Sequence, residues 1–260
     1  MKCKEIIGRI EAAYPKTAAL ERDNVGLLCG RSEKDVQIVF VALDATEEII
    51  MQAMVAGAGM LITHHPMFRS GVERITDLDY TGRRLIQLIQ HDICYYVVHT
   101  NYDVLALSEM VGNKLGLQNQ FVLWETLEQD GEVLGVGRIG ELSNPCRVVT
   151  CCDLVKERFG IEHVRVFGNV DKVVSKIAIS PGSGKSAIPY ALAKGAELLI
   201  TGDIGHHDGL EAVDQGLAIM DAGHYGTEFM FVEEMQSFLL KVDSTLKVVV
   251  EKKHHPFRTI

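Results

Sequence analysis

The sequence predicts an α/β protein built of two interlocked sections with mostly parallel sheets. Three observations carry this: β-branched apolar runs alternate with helix-patterned segments, the alternation pauses over residues 124–140, and it then resumes. Residues 36–43 form an apolar run ending at Asp44-Ala45-Thr46, followed by Glu47 and Glu48. This reads as a buried strand feeding a helix that Asp or Thr caps, with acids favourable in the first turn. In that helix Ile49, Ile50, Ala53 and Met54 share a face, and Gly57-Ala58-Gly59 stops it. Residues 60–63 are the next strand, a helix covers about 82–90, and 93–98 is a further apolar strand. Acidic residues with Gly131, Gly135, Gly137 and Gly140 then predict hairpin geometry and a boundary. The second section has strands at 173–180, 197–201 and 217–221 and a final helix over about 226–240. A last strand at 246–251 returns to a sheet. The expected domains are 1–125 with 241–260, and 126–240.

With 260 residues, 47% of them hydrophobic and 23% charged, the chain has the composition of a globular protein and none of the signs of disorder. A formal net charge of −9 repels phosphate backbones and anionic lipid, so neither nucleic acid nor a membrane surface is expected as a partner. Small molecules, metals and proteins remain. The stretch 49–68 lacks Lys, Arg, Asp and Glu, but Gln52, Gly57, Gly59, His64, His65 and Pro66 interrupt it, and it is not read as a membrane span. The N-terminus lacks an apolar signal core, and the six cysteines show no C-x-x-C spacing. Both features point to reduced thiols and a cytoplasmic location.

The histidines concentrate the chemistry. His64, His65, His99, His206, His207 and His224 all follow predicted strands, and ligands bind at the carboxyl ends of strands in open α/β sheets. Four segments supply imidazoles and carboxylates there: 61–66, 98–103, 200–208 and 221–228. Neutral imidazole with carboxylate is a ligand set for zinc, manganese, iron or nickel. His64 and His65 point in different directions on an extended segment, so they suit two ions, or one ion and a supporting contact. His224 and Glu228 share a face if their segment is helical, and the two oxygens of Asp103 suit a bridge. Taken singly, His64 or His99 reads better as a hydrogen-bonded core histidine. The four segments together favour metal.

Thr63-His64-His65-Pro66, His99-Thr100-Asn101-Tyr102-Asp103, Thr201-Gly202-Asp203-Ile204 with His207-Asp208, and Asp221-Ala222-Gly223-His224-Tyr225-Gly226-Thr227-Glu228 carry a resemblance. Together with Asp23-Asn24-Val25-Gly26-Leu27 and Pro256-Phe257, they resemble the GTP cyclohydrolase 1 type 2 homologues, the Nif-three-like dinuclear metal-centre proteins, over nearly the whole chain. The resemblance implies a two-part subunit with two divalent ions per subunit in the cleft between the parts, and a ring-shaped homohexamer. It places the ligands at His64, His65, Asp103, His224 and Glu228, with Asp103 and Glu228 bridging. His99 falls in the position of a general base or supporting residue. The middle domain of longer relatives is missing, and Gly205-His206 stands where relatives often carry Lys-Tyr. The function implied is metal-dependent hydrolysis of a small nucleotide-like or phosphorylated substrate. The alternative is a non-catalytic protein that handles metal or regulates.

Two rival signals are weaker. Ser180-Pro181-Gly182-Ser183-Gly184-Lys185-Ser186 resembles a nucleotide-binding loop, but that pattern needs glycine where this chain has Ile179. Its amides, with Lys185, are left as a general phosphate device. The second His-His-Pro, at 254–256, follows Lys252 and Lys253 and reads as a solvated tail.

Overall fold

The computed structural model describes residues 1–259. In chain order its strands are β1 (Gly26–Cys29), β2 (Ile38–Ala42), β3 (Met60–Thr63), β4 (Cys94–Val97), β5 (Gln118–Gln129), β6 (Glu132–Arg147), β7 (Arg165–Phe167), β8 (Val173–Ser183), β9 (Leu198–Gly202), β10 (Ala218–Asp221) and β11 (Lys247–Val250). The fold is α/β with two sheets, each in its own compact unit.

The first unit comprises residues 1–102 and 229–253. Its sheet has the order β1-β4-β3-β2-β11, with β11, β2, β3 and β4 parallel and β1 antiparallel to β4. Strands covered on both faces need continuous apolar runs, and β3 and β4 are buried throughout. Phe40, Ile49, Ile50, Leu61, Leu88 and Tyr95 lie in one core cluster. Thr46 is the cap of the helix Glu47–Val55, its hydroxyl oxygen accepting from the Ile49 N–H at 3.1 Å. The segment read as one helix over 226–240 is two, His224–Glu228 and Met230–Val242. The longer one buries Phe231, Val232, Met235 and Leu239 and belongs to this unit, as does β11. The expected boundary at 241 therefore lies at 229 instead, because the chain changes unit between two helices that share one apolar rhythm.

The second unit comprises residues 103–228 with the C-terminal segment from His254. Its sheet has the order β5-β6-β8-β9-β10-β7. Only β8-β9 and β9-β10 are parallel pairs, so this sheet is mixed. The expected hairpin is β5–β6, closed by Asp130 and Gly131, both at positive φ (53° and 82°), the geometry whose twist suits a two-residue hairpin. The hairpin lies inside the unit rather than marking its start, since both strands pack into this sheet. Leu123, Ile139, Ala178, Leu199 and Ile219 form the core here.

Strand direction decides where the chemistry emerges. β2, β3 and β4 run the same way, so the residues after them leave from one edge of the first sheet, and the residues before antiparallel β1 enter at that same edge. In the second sheet the residues after parallel β9 and β10 likewise share an edge. Among the described residues no helix is long and apolar enough to cross a membrane.

Candidate metal centre

At the edge of the first sheet, His64, His65 and His99 each offer one ring nitrogen, and these atoms all lie within 4.8 Å of one another. The ring centroids of His64 stand 5.0 Å from His65 and 5.2 Å from His99. Each imidazole is held from behind through Nδ1. His64 meets the Val98 carbonyl oxygen at 2.9 Å, His65 meets Asp44 Oδ1 at 2.9 Å, and His99 meets both oxygens of Asp23 at 2.8 and 2.9 Å. An acceptor at Nδ1 fixes the tautomer and leaves the lone pair on Nε2, across the ring, as the ligand or base. Asp23 also accepts from the Thr100 N–H at 3.1 Å and from the Thr100 hydroxyl. Burial works to raise the Asp23 carboxyl, but the hydrogen bonds from His99 and Thr100 overcome it and hold the group well below the usual carboxylate range.

His64 is fully buried against Phe231, with ring centroids 5.0 Å apart. The loop that carries it is tied to the sheet by Tyr95. The Tyr95 hydroxyl donates to the His65 carbonyl at 3.1 Å and accepts from the Met67 N–H at 2.9 Å. Burial pushes this phenol up to about 12, so it stays protonated and able to donate. Tyr95→Phe should cost about 1–2 kcal/mol in a denaturant melt, because the Met67 N–H loses its acceptor while the His65 carbonyl keeps only the Thr63 hydroxyl, at 2.8 Å. An unchanged midpoint would show that the loop does not depend on this anchor.

In the second unit, His224 and Glu228 open and close the short helix His224–Glu228, and His224 Nε2 lies 3.0 Å from Glu228 Oε2. His224 Nδ1 meets Asp203 Oδ2 at 2.7 Å, repeating the pattern of the first unit. Asp103, buried, begins the π-helical turn Asp103–Leu107 four residues after His99. Gly182, at the end of β8, has φ +69°, and its N–H donates to the Thr227 hydroxyl at 3.1 Å. A Cβ there would overlap Glu228 Oε1 and stand 3.3 Å from His224 Nε2. Gly182→Ala should therefore displace the Glu228 carboxylate and weaken divalent-ion binding about 10–100-fold, the scale seen when support around a ligand is disturbed. Titration calorimetry against zinc, with circular dichroism to confirm folding, measures it.

His206 and His207 begin the helix His206–Asp214 with their rings 5.1 Å apart, and among the described residues they join no such cluster. Lys185 pairs with Asp208 at 2.9 Å, so the glycine-rich loop spends its one cation on a neighbouring carboxylate. Asp44, Asp23 and Asp203 are present in the sequence motifs, but their contacts to His65, His99 and His224 are visible only in the structure. Each lies beside a strand end: Asp44 after β2, Asp203 after β9, and Asp23 before β1.

The Duf34/NIF3 (NGG1p interacting factor 3) family model matches residues 1–256. A Clostridium perfringens protein named "GTP cyclohydrolase 1 type 2 homolog" is 34% identical over the full length of both chains. A Streptococcus pneumoniae protein of the same name is 35% identical, covering 92% of this chain and 90% of its own. Among solved structures, a Bacillus cereus protein related to NIF3 superposes with a TM-score of 0.93 at 26% identity, covering 100% of this chain and 99% of the other. Reduced HcgD from Methanocaldococcus jannaschii superposes with a TM-score of 0.82 at 30% identity, covering 96% and 97%. On the match of the family model across nearly all its length, this chain belongs to the Duf34/NIF3 family.

Proposed function

We propose that the chain binds two divalent metal ions through His64, His65, Asp103, His224 and Glu228, and uses them to hydrolyse a small nucleotide-like or phosphorylated substrate. The observation that carries this reading is the cluster of three imidazoles, each braced at Nδ1 by an oxygen acceptor, with His224 braced in the same way by Asp203. A histidine that only fills a core needs one partner. Several imidazoles oriented at one sheet edge are what a borderline cation requires, and zinc, manganese, iron and nickel all accept this donor set.

Divalent ions bound there supply Lewis acidity: a nucleophile at neutral pH and neutralisation of charge developing on the substrate. The residues of the chain do the rest. His99, backed by Asp23, is suited to take a proton at Nε2, since the adjacent carboxylate stabilises the imidazolium that forms. Asp103 and Glu228 bring the negative charge that lets two cations lie close together. The name of the clostridial and streptococcal relatives offers GTP as one substrate to try. A cytoplasmic homohexamer is the proposed setting, and light scattering that gives a monomer at micromolar concentration would remove the assembly.

Elemental analysis of protein purified without chelator, followed by a metal-supplemented screen of nucleotides and phosphoesters, tests the function. Two ions per chain with metal-dependent turnover is the expected result. Full metal loading with no turnover across the panel would favour metal handling without catalysis.

A further inference from the structure

We infer that the second unit carries a pocket for a phosphorylated aromatic heterocycle of nucleoside monophosphate size, walled by the C-terminal segment and opening onto His224. This deepens the proposed function by naming the substrate class, and it rests on that reading only for the role of His224. The second unit contains a cavity of about 920 Å³, lined by residues 161–165, the loop after β10, and residues 254–259. That volume lies near the top of the roughly 300–1,000 Å³ range of small-molecule sites.

The C-terminal wall is solvent-exposed along 254–259, as a solvated tail would be, but it is moored at its start. The His254 N–H donates to the Tyr225 hydroxyl at 3.1 Å, and the Tyr225 ring centroid stands 5.8 Å from that of His254 and 6.1 Å from that of His255. Tyr225 is itself buried, and it neighbours His224 in sequence, so the segment is moored beside a proposed ligand. Gly226 keeps the opposite wall close, since a Cβ there would overlap Ile161 Cγ2.

The chemistry of the lining selects the ligand. The chain has a net charge of −9, yet this cavity gathers Arg165, Arg258 and four of the ten histidines. The cavity also holds three carboxylates, each beside a cationic or hydrogen-bonding partner: Glu162, at the exposed rim, lies 3.8 Å from His163 Nε2. Asp203 is paired with His224, and Asp221 accepts from the N–H groups of Ile204 and Gly223, both at 3.1 Å, and from the Arg165 guanidinium. Asp221 and the Ile204 carbonyl, the latter at 3.4 Å, thus fix one guanidinium nitrogen of Arg165 at the wall, and the side chain lines the cavity while 68% exposed. Arginine is suited to phosphate because its planar fork matches two oxygens at once. Phe257, 68% exposed, supplies a ring surface on which a flat heterocycle can stack, and Tyr225 lines the same cavity. An anion and a ring together describe a mononucleotide better than either a bare phosphate or an uncharged nucleoside.

The test is calorimetric titration of the full chain with adenosine and guanosine 5′-monophosphates, with the parent nucleosides and inorganic phosphate as comparisons, in metal-loaded and in chelator-treated protein. At least one monophosphate should bind at least tenfold more tightly than both its nucleoside and phosphate. Arg258→Ala and Phe257→Ala, exposed positions away from the proposed ligands, should each weaken it about tenfold or more while metal content stays at the parent level. Binding that ignores both substitutions, or no binding by any monophosphate, overturns the pocket. Monophosphate binding that survives chelation and still depends on Arg258 supports the pocket even if elemental analysis finds no metal, so the two readings fail separately.

Discussion

The Glu228→Gln protein, purified without chelator, should carry at least one ion fewer per chain than the parent and lose all metal-dependent turnover. Two cations held a few ångströms apart repel one another, and anionic oxygens between them offset that repulsion. The carboxamide keeps the shape of the side chain, but it removes a full negative charge from a residue only 4% exposed and 3.0 Å from His224 Nε2. Fold and metal effects separate in a thermal melt. A buried carboxylate is costly to desolvate, so the chelator-treated variant should melt at or above the chelator-treated parent. Added zinc should stabilise the parent by about 3 kcal/mol when the free ion is at a hundred times its dissociation constant, and the variant by much less. Equal metal content and equal stabilisation in the two proteins would remove Glu228 from the ligand set.

Much of the first half of this site was legible because sheet direction and residue type point the same way. Successive parallel strands must release their carboxyl ends at one edge, so the strands before His64 and His99 announce a shared rim without any knowledge of packing. Asp44 and Asp203 were visible too, at the ends of β2 and β9. Their role was hidden because an aspartate after a strand reads equally well as a helix cap, and only the 2.9 and 2.7 Å contacts to His65 and His224 separate the two uses. Asp23 was harder still. It precedes β1, a four-residue strand that runs antiparallel to its neighbour, and an antiparallel strand reverses the rule about which end faces the rim. The unit boundary failed for another reason: residues 224–242 hold one apolar rhythm across Phe229, and periodicity carries no sign that the chain has passed from one core to another. His254 and His255 gave no periodic signal at all. Their contact with Tyr225 joins positions some 30 residues apart through a single hydroxyl and three rings.

His99 separates the proposed base from the proposed ligands. His99→Ala should keep most of its metal and lose turnover by about 100- to 10,000-fold, the range expected for removing a general base. Its ring nitrogen lies within 4.8 Å of those of His64 and His65, which also makes it geometrically able to be a ligand, so metal content decides between the roles. Asp23 sharpens the test. Its carboxylate accepts from His99 Nδ1 and so keeps Nε2 unprotonated; Asp23→Asn can present its amide N–H to the same nitrogen and favour the tautomer whose Nε2 carries the proton. As a positioning residue for a base, Asp23→Asn should reduce kcat about 10- to 100-fold with little change in KM or in metal content, and it should alter the acid limb of the pH–rate profile. If both substitutions shed metal as readily as Glu228→Gln, His99 is a ligand and Asp23 its support. If both leave full metal and unchanged turnover, the Asp23–His99 pair serves only to lock the start of β1 against the end of β4, and the proton acceptor must be sought elsewhere at the rim.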